Sequence, residues 1–184
     1  TTQKRKKDEL KKQIERLEWD LIETTLKEQD KNSELKKFEE FKRANTKPFF
    51  LWKLHFSEIF QNGGFDVVIA NPPYVSYGLR GGQKMTLEEK EILKNAFPNS
   101  AEYKISLYAL FMDKAIQIAK RNGGVQTFIV PDSFLLGRYF SKIRECILRV
   151  NEIGHILLLP YSVFDATVGF SVVYLFQRKL NVDG

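Results

Sequence analysis

Cysteine occurs once in this chain, at Cys146, and histidine twice, at His55 and His155. A lone cysteine excludes an internal disulfide and agrees with a reducing, cytoplasmic setting. With so few soft ligands, and none at metal-binding spacing, no metal site is expected. Asp132-Ser133 follows an apolar run, as a hydrolase nucleophile would, yet no histidine stands near it and the glycine elbow is absent, which argues against serine-hydrolase chemistry. No apolar run reaches the roughly 18 residues of a membrane-crossing helix, and the amino terminus is charged throughout, so neither a membrane partner nor a signal peptide is expected. Also missing is a Gly-x-Gly-x-x-Gly turn between a strand and a helix. The pairs Gly63-Gly64, Gly81-Gly82 and Gly123-Gly124 precede strands or lie in loops.

Proline and glycine are absent from Lys4 to Ala44, where charge is dense and Leu10, Ile14, Leu17 and Leu21 recur at spacings of four and three. The pattern predicts one long amphipathic helix over residues 1–45, or two broken near Asp30-Lys31-Asn32-Ser33, with Leu35, Phe38 and Phe41 resuming the stripe. The seam is too short to dictate a coiled coil. Its basic cluster, Lys4 to Lys7, could touch phosphate or simply end a solvated helix. Residues 46–184 read as a second domain, of α/β type. Helices are expected at Leu87–Asn95, Lys104–Arg121 and Arg138–Val150, and strands at Val67–Ala70, Gln126–Val130, Ile156–Leu159 and Val172–Gln177. That alternation predicts a three-layer α/β sheet, with Val67–Ala70 a central parallel strand covered on both faces. With 43% hydrophobic residues the 184-residue chain can bury one sizeable core, and a formal charge of +6 suits a polyanionic partner.

The apolar strand stops abruptly at Asn71-Pro72-Pro73-Tyr74. Neither proline can donate a backbone N–H, so the sheet ladder ends, and each pushes the residue before it towards extended geometry. An amide, a carbonyl and an aromatic ring are thereby held on a stiff loop at the carboxyl end of a strand, where open α/β sheets bind their ligands. The Asn71 side-chain oxygen and the Pro72 carbonyl can each accept one hydrogen of an NH2 group, while Tyr74 offers a face to the ring that carries it. Holding both hydrogens draws the nitrogen lone pair out of conjugation. A weak nucleophile then becomes able to attack an electrophilic methyl group, helped by fixed dipoles and positioning. The plain alternative is an Asx-Pro turn that stiffens a loop and does nothing else.

This segment resembles the catalytic motif of the amino-methyltransferases that use S-adenosylmethionine, above all the adenine-N6 DNA methyltransferases of the NPPY class. The likeness covers residues 48–178. Ile105 to Ala115 resembles the helix after the catalytic loop, Gly123 to Leu135 the next strand and loop, and Val163 to Ala166 with Phe170 to Phe176 the closing loop and strand. It implies a partial Rossmann-like methyltransferase fold whose last strand runs antiparallel. It also implies that Asn71 and Pro72 bind the target amine, that Tyr74 and Phe164 stack on opposite faces of a flipped adenine, and that Pro73 and Phe111 pack against the cofactor's adenine. Otherwise Phe164 would be an ordinary core side chain, and Phe111 part of its own helix's apolar stripe.

The order of helical stretch, Phe49 to Phe56, Gly63-Gly64-Phe65-Asp66 and then NPPY is similar to that of type IIG restriction-modification enzymes. Members of the family hold S-adenosylmethionine chiefly through a glycine-rich turn and paired acids upstream of NPPY, which this sequence lacks. The chain therefore reads as the catalytic half of a longer enzyme acting on double-stranded DNA, inactive alone. The cofactor half, a target-recognition domain and any nuclease domain would lie elsewhere in the same polypeptide. Two other readings stand beside this one: methylation of a protein glutamine or an RNA adenine, and a non-catalytic DNA-binding piece.

Overall fold

The computed structural model of the chain describes residues 2–47, 50–77, 84–103, 105–160 and 169–180. The chain forms two compact units, Thr1–His55 and Phe56–Gly184. In the first, α1 (Thr2–Glu28) runs without proline or glycine to interrupt its ladder. The chain reverses at Asp30, whose φ of 52° lies in the left-handed region that aspartate tolerates, and Lys31 N donates to Leu26 O at 3.0 Å. α2 (Asn32–Arg43) then packs back through Phe38, whose ring lies 5.2 Å from that of Trp19, both buried. Leu10, Ile14, Leu17 and Leu21 take no part in this contact and stay at least half exposed. Three of them, with Leu54, line an open groove of about 730 Å³. Glu18, almost fully buried, pairs with Lys47 Nζ, and His55 Nε2 stands 3.3 Å from its other oxygen. A buried carboxylate needs such partners. They hold Lys47 and the short α3 (Trp52–His55) to the helices, so the unit ends later than the composition shift at residue 46.

The second unit is mixed α/β. It comprises α4 (Ser57–Gln61), β1 (Val67–Ala70), β2 (Ser76–Tyr77), α5 (Leu87–Ala96), β3 (Ile105–Ser106), α6 (Leu107–Ile118), β4 (Val125–Pro131), α7 (Ser133–Leu136), a 3-10 turn (Arg138–Phe140), α8 (Ser141–Val150), β5 (Asn151–Leu158) and β6 (Ser171–Arg178). The main sheet has the order β1-β4-β6-β5. β1 and β4 are parallel and joined through α6, while β6 runs antiparallel to both β4 and β5, the orientation the resemblance implied for the last strand. Two local devices shape the segments around β1 and α5. Gly64, at φ 120°, lets the backbone approach so closely that an added Cβ would lie 2.6 Å from Ile118 O, and Phe65 N donates to that carbonyl at 3.0 Å. Thr86 and Glu89 form a reciprocal capping box that starts α5.

The core lies between the sheet and the pair α6 and α8. Tyr108, Met112 and Ala115 meet Phe128, Val130, Val172, Tyr174 and Phe176 from one side, with Ile143 and Ile147 closing the other. Paired strand residues share a face, so the registers put Val67, Ile69, Val125, Thr127, Val173, Leu175 and Leu157 on the opposite face. That face is open: Ile69 is 77% exposed and Val67 and Leu157 more than half exposed. The expectation that β1 is central and covered on both faces is therefore corrected. In the described residues β1 is an edge strand with one packed face, because an unbroken apolar run carries no mark of which faces are covered. The described residues supply two of the three layers expected. No helix among them is long and apolar enough to cross a membrane.

Candidate active site

Because α6 connects β1 to β4 and α8 connects β4 to β5, strands that all run parallel, their amino ends share the carboxyl edge of the sheet with the loop after β1. β1 leaves its ladder at Ala70, opposite Phe128, and residues 71–75 are irregular. The loop is clamped where it ends. Leu107 N donates to Val75 O at 2.8 Å, Ser76 and Tyr77 pair with Ser106 and Ile105, and Ser76 Oγ donates to Ser106 Oγ at 3.2 Å. Within it Asn71 and Pro73 are exposed, Pro72 is buried and Tyr74 is half-buried. Asn71 can thus meet a substrate from solvent while its neighbour anchors the turn.

Tyr74 is braced from below. Its ring meets that of Tyr108 edge-on, with centroids 6.4 Å apart and planes at 76°. Its hydroxyl is shut off from solvent, and burial pushes its pKa above the usual tyrosine value, with the Ser171 hydroxyl opposing the shift. Tyr108 is itself buried, its ring 5.4 Å from Phe140 and its hydroxyl 3.2 Å from Ser133 Oγ. Burial also raises the Tyr108 pKa, against hydrogen bonds from Ser133 and Ser106. Both phenols are therefore neutral at physiological pH and act by shape and hydrogen bonding, not charge. Sequence reasoning assigned no role to Tyr108, Ser133 or Ser171. All three are distant from Tyr74 in the chain, and only the crossover brings them to it.

Phe111 keeps 46% of its surface exposed although Tyr108, Ala109, Met112 and Ala115 of the same helix are core, so it is not part of the packed stripe. Pro73 is exposed as well. Each thus presents the flat apolar contact that the adenine of S-adenosylmethionine would need. Phe164 lies outside the described residues. On either side of its segment, Leu159 N donates to Ser171 O at 2.8 Å and Asp132 N to Phe170 O at 3.1 Å.

An α/β sheet that offers an exposed Asn-Pro-Pro-Tyr loop at its carboxyl edge has the layout that the resemblance to methyltransferases implied. The model of the Eco57I restriction-modification methylase family matches residues 3–164, and the chain belongs to that family. It is 31% identical over 141 residues, 77% of this chain, to a protein of Methanocaldococcus jannaschii described as a type II restriction enzyme and methyltransferase. Over 59 residues, 32% of this chain, it is 42% identical to the adenine-specific methyltransferase BrxX of Escherichia coli O9:H4 (strain HS). The match spans 11% of the length of the first relative and 4% of the second. A solved structure from Listeria monocytogenes, described as a class I S-adenosylmethionine-dependent methyltransferase, aligns with 66% of this chain and 33% of that one at a TM-score of 0.49 and 22% identity.

Proposed function

We propose that this site transfers a methyl group to the exocyclic N6 amine of an adenine flipped out of double-stranded DNA, within a restriction-modification enzyme. One observation carries the reading: Asn71 stands exposed on a proline-stiffened loop beside Tyr74, whose ring is fixed by Tyr108. The Asn71 side-chain oxygen and the Pro72 carbonyl accept the two amine hydrogens. The nitrogen lone pair is thereby freed for attack, and the proton leaves from an already cationic nitrogen, so no general base is required. Tyr74 stacks on the extruded base, and Phe164 is assigned the opposite face. Each ring returns about 1 to 3 kcal/mol, comparable to the few kcal/mol of unstacking. S-adenosylmethionine supplies an activated methyl group when bound, and Pro73 and Phe111 would hold its adenine.

Since the chain matches only a small part of its relatives' length, the activity is assigned to the complete protein. The cofactor half, the target-recognition domain and any nuclease domain are its further parts. With the complete protein, labelled methyl should appear in adenine of duplex DNA. Asn71→Ala should abolish transfer while DNA binding persists. Full activity in Asn71→Ala would overturn the mechanism, and labelling of protein glutamine or of RNA in place of DNA would reassign the substrate.

A further inference from the structure

Two rings and a guanidinium are stacked in the open at the same edge of the sheet. Tyr103 lies just ahead of β3 and α6, the helix that carries Tyr108, and Tyr139 in the turn before α8, the turn that carries Phe140. Glu102 fastens them together: its carboxylate accepts from Lys142 backbone N at 3.0 Å and from Ser141 Oγ at 3.4 Å, tying the segment ahead of α6 to the first turn of α8. The Tyr103 ring is thereby laid on Tyr139, with centroids 5.7 Å apart and planes at 28°. The Arg138 guanidinium carbon sits 4.7 Å from the Tyr139 ring centroid, and Arg138 Nη2 donates to the Tyr139 hydroxyl. Yet Tyr103 is 84% exposed, so the stack is ordered without being buried. One residue further on, Phe140 packs on Tyr108, which meets Tyr74.

We propose that Tyr103, Tyr139 and Arg138 form a second nucleic-acid subsite, a stacking platform for an unpaired nucleotide beside the target base. An exposed ring with a pre-ordered ring and cation behind it matches the two chemistries of a nucleotide, a flat π face and an anionic phosphate. Extruding a base deprives its neighbours of a stacking partner, and a platform next to the extrusion site offers a replacement. The subsite rests on the methyltransferase reading and adds to it residues that touch DNA without touching the reacting amine.

The test is fluorescence-anisotropy titration of the complete protein with a labelled single-stranded DNA oligonucleotide, with duplex methylation followed in parallel. Tyr103→Ala should weaken oligonucleotide binding at least about fivefold, with the thermal melt unchanged and Tyr103→Phe restoring most of the affinity. Arg138→Gln should lower the slope of log affinity against log salt by about one. If Tyr103→Ala and Tyr139→Ala bind the oligonucleotide as the parent does while the parent methylates DNA, the platform is wrong and the methyltransferase reading stands. A parent with no affinity for DNA would overturn both.

Discussion

Phe111 and Met112 are neighbours on α6, yet Met112 is fully buried and Phe111 is nearly half exposed. The same contrast recurs along the carboxyl edge, where Asn71, Pro73 and Tyr103 are exposed within a residue or two of buried Pro72 and Ile105. Large apolar or stacked side chains left in solvent add little to the fold, and those at the carboxyl edge are the ones to which the proposals above give a role. Below the edge, Met112, Val130, Ile143, Val172 and Tyr174 are fully buried. Burial is thus divided between adjacent residues of the same elements, the buried ones holding the fold and the exposed ones carrying the roles proposed above.

Substitutions on the two sides should separate these roles. The largest effect belongs to Asn71→Ala, which should cut methyl transfer by the complete protein at least about a hundredfold. Its stability, read by chemical denaturation, should stay within about 0.5 kcal/mol of the parent. Ile143→Ala should behave in the opposite way, losing about 2–5 kcal/mol by cavity formation. In this chain alone, Ile69→Ala, on the face that is open there, should lose no more than about 0.5 kcal/mol. Equal losses at Ile143 and Ile69 would break the comparison, since the two faces would then be packed alike.

A sharper version lies at Tyr174. Its ring stacks on Phe176 with centroids 4.1 Å apart, while its buried hydroxyl has no hydrogen-bond partner among the described residues. Tyr174→Phe keeps the ring and removes the orphan, so it should be neutral or stabilise by about 1–3 kcal/mol. Burial raises the Tyr174 pKa well above 10.0, so the folded state favours the protonated phenol. The associated stabilisation is complete below the usual tyrosine pKa and is lost as pH rises towards the folded value. Melting curves across the alkaline range should therefore fall less steeply for Tyr174→Phe. A steeper fall would place a hidden partner on the hydroxyl.

The loop that ends β1 and most of the interior were legible in the sequence because their signals are local. Val125–Pro131 alternates buried with half-buried residues, and the loop is marked by four consecutive residues, Asn71-Pro72-Pro73-Tyr74. β5 was legible only in part. It begins at Asn151, not Ile156, and is exposed along almost its whole length, so neither apolar alternation nor burial marks its first half. Pairing with β6 defines it, across a bulge between Ile153 and His155. α6 starts later than its apolar pattern suggested because Ile105 and Ser106 are claimed by β2. Tyr108 went unassigned for a related reason: a tyrosine in a helix reads as core until the crossover sets it against Tyr74.

The smallest effect is expected in the helical unit, where the same division holds between two carboxylates of α1. Glu18 is buried against Lys47 and His55, whereas Glu23 lies at the surface and accepts from Lys27 at 2.7 Å and Lys42 at 2.8 Å. Those two cations, Lys27 before Lys42, lower the Glu23 pKa from 4.5 to about 2. Stabilisation from a lowered carboxylate is complete above the unfolded value of 4.5 and is lost as pH falls through about 2. Solvent screens an exposed pair, so the loss should be slight and should vanish at about 1 M salt. Lys42→Ala should flatten the acid decline of helix content between those two values and leave the neutral-pH melt almost unchanged. A large drop at neutral pH would mean that this ion pair, rather than the Trp19–Phe38 contact, holds α2 against α1.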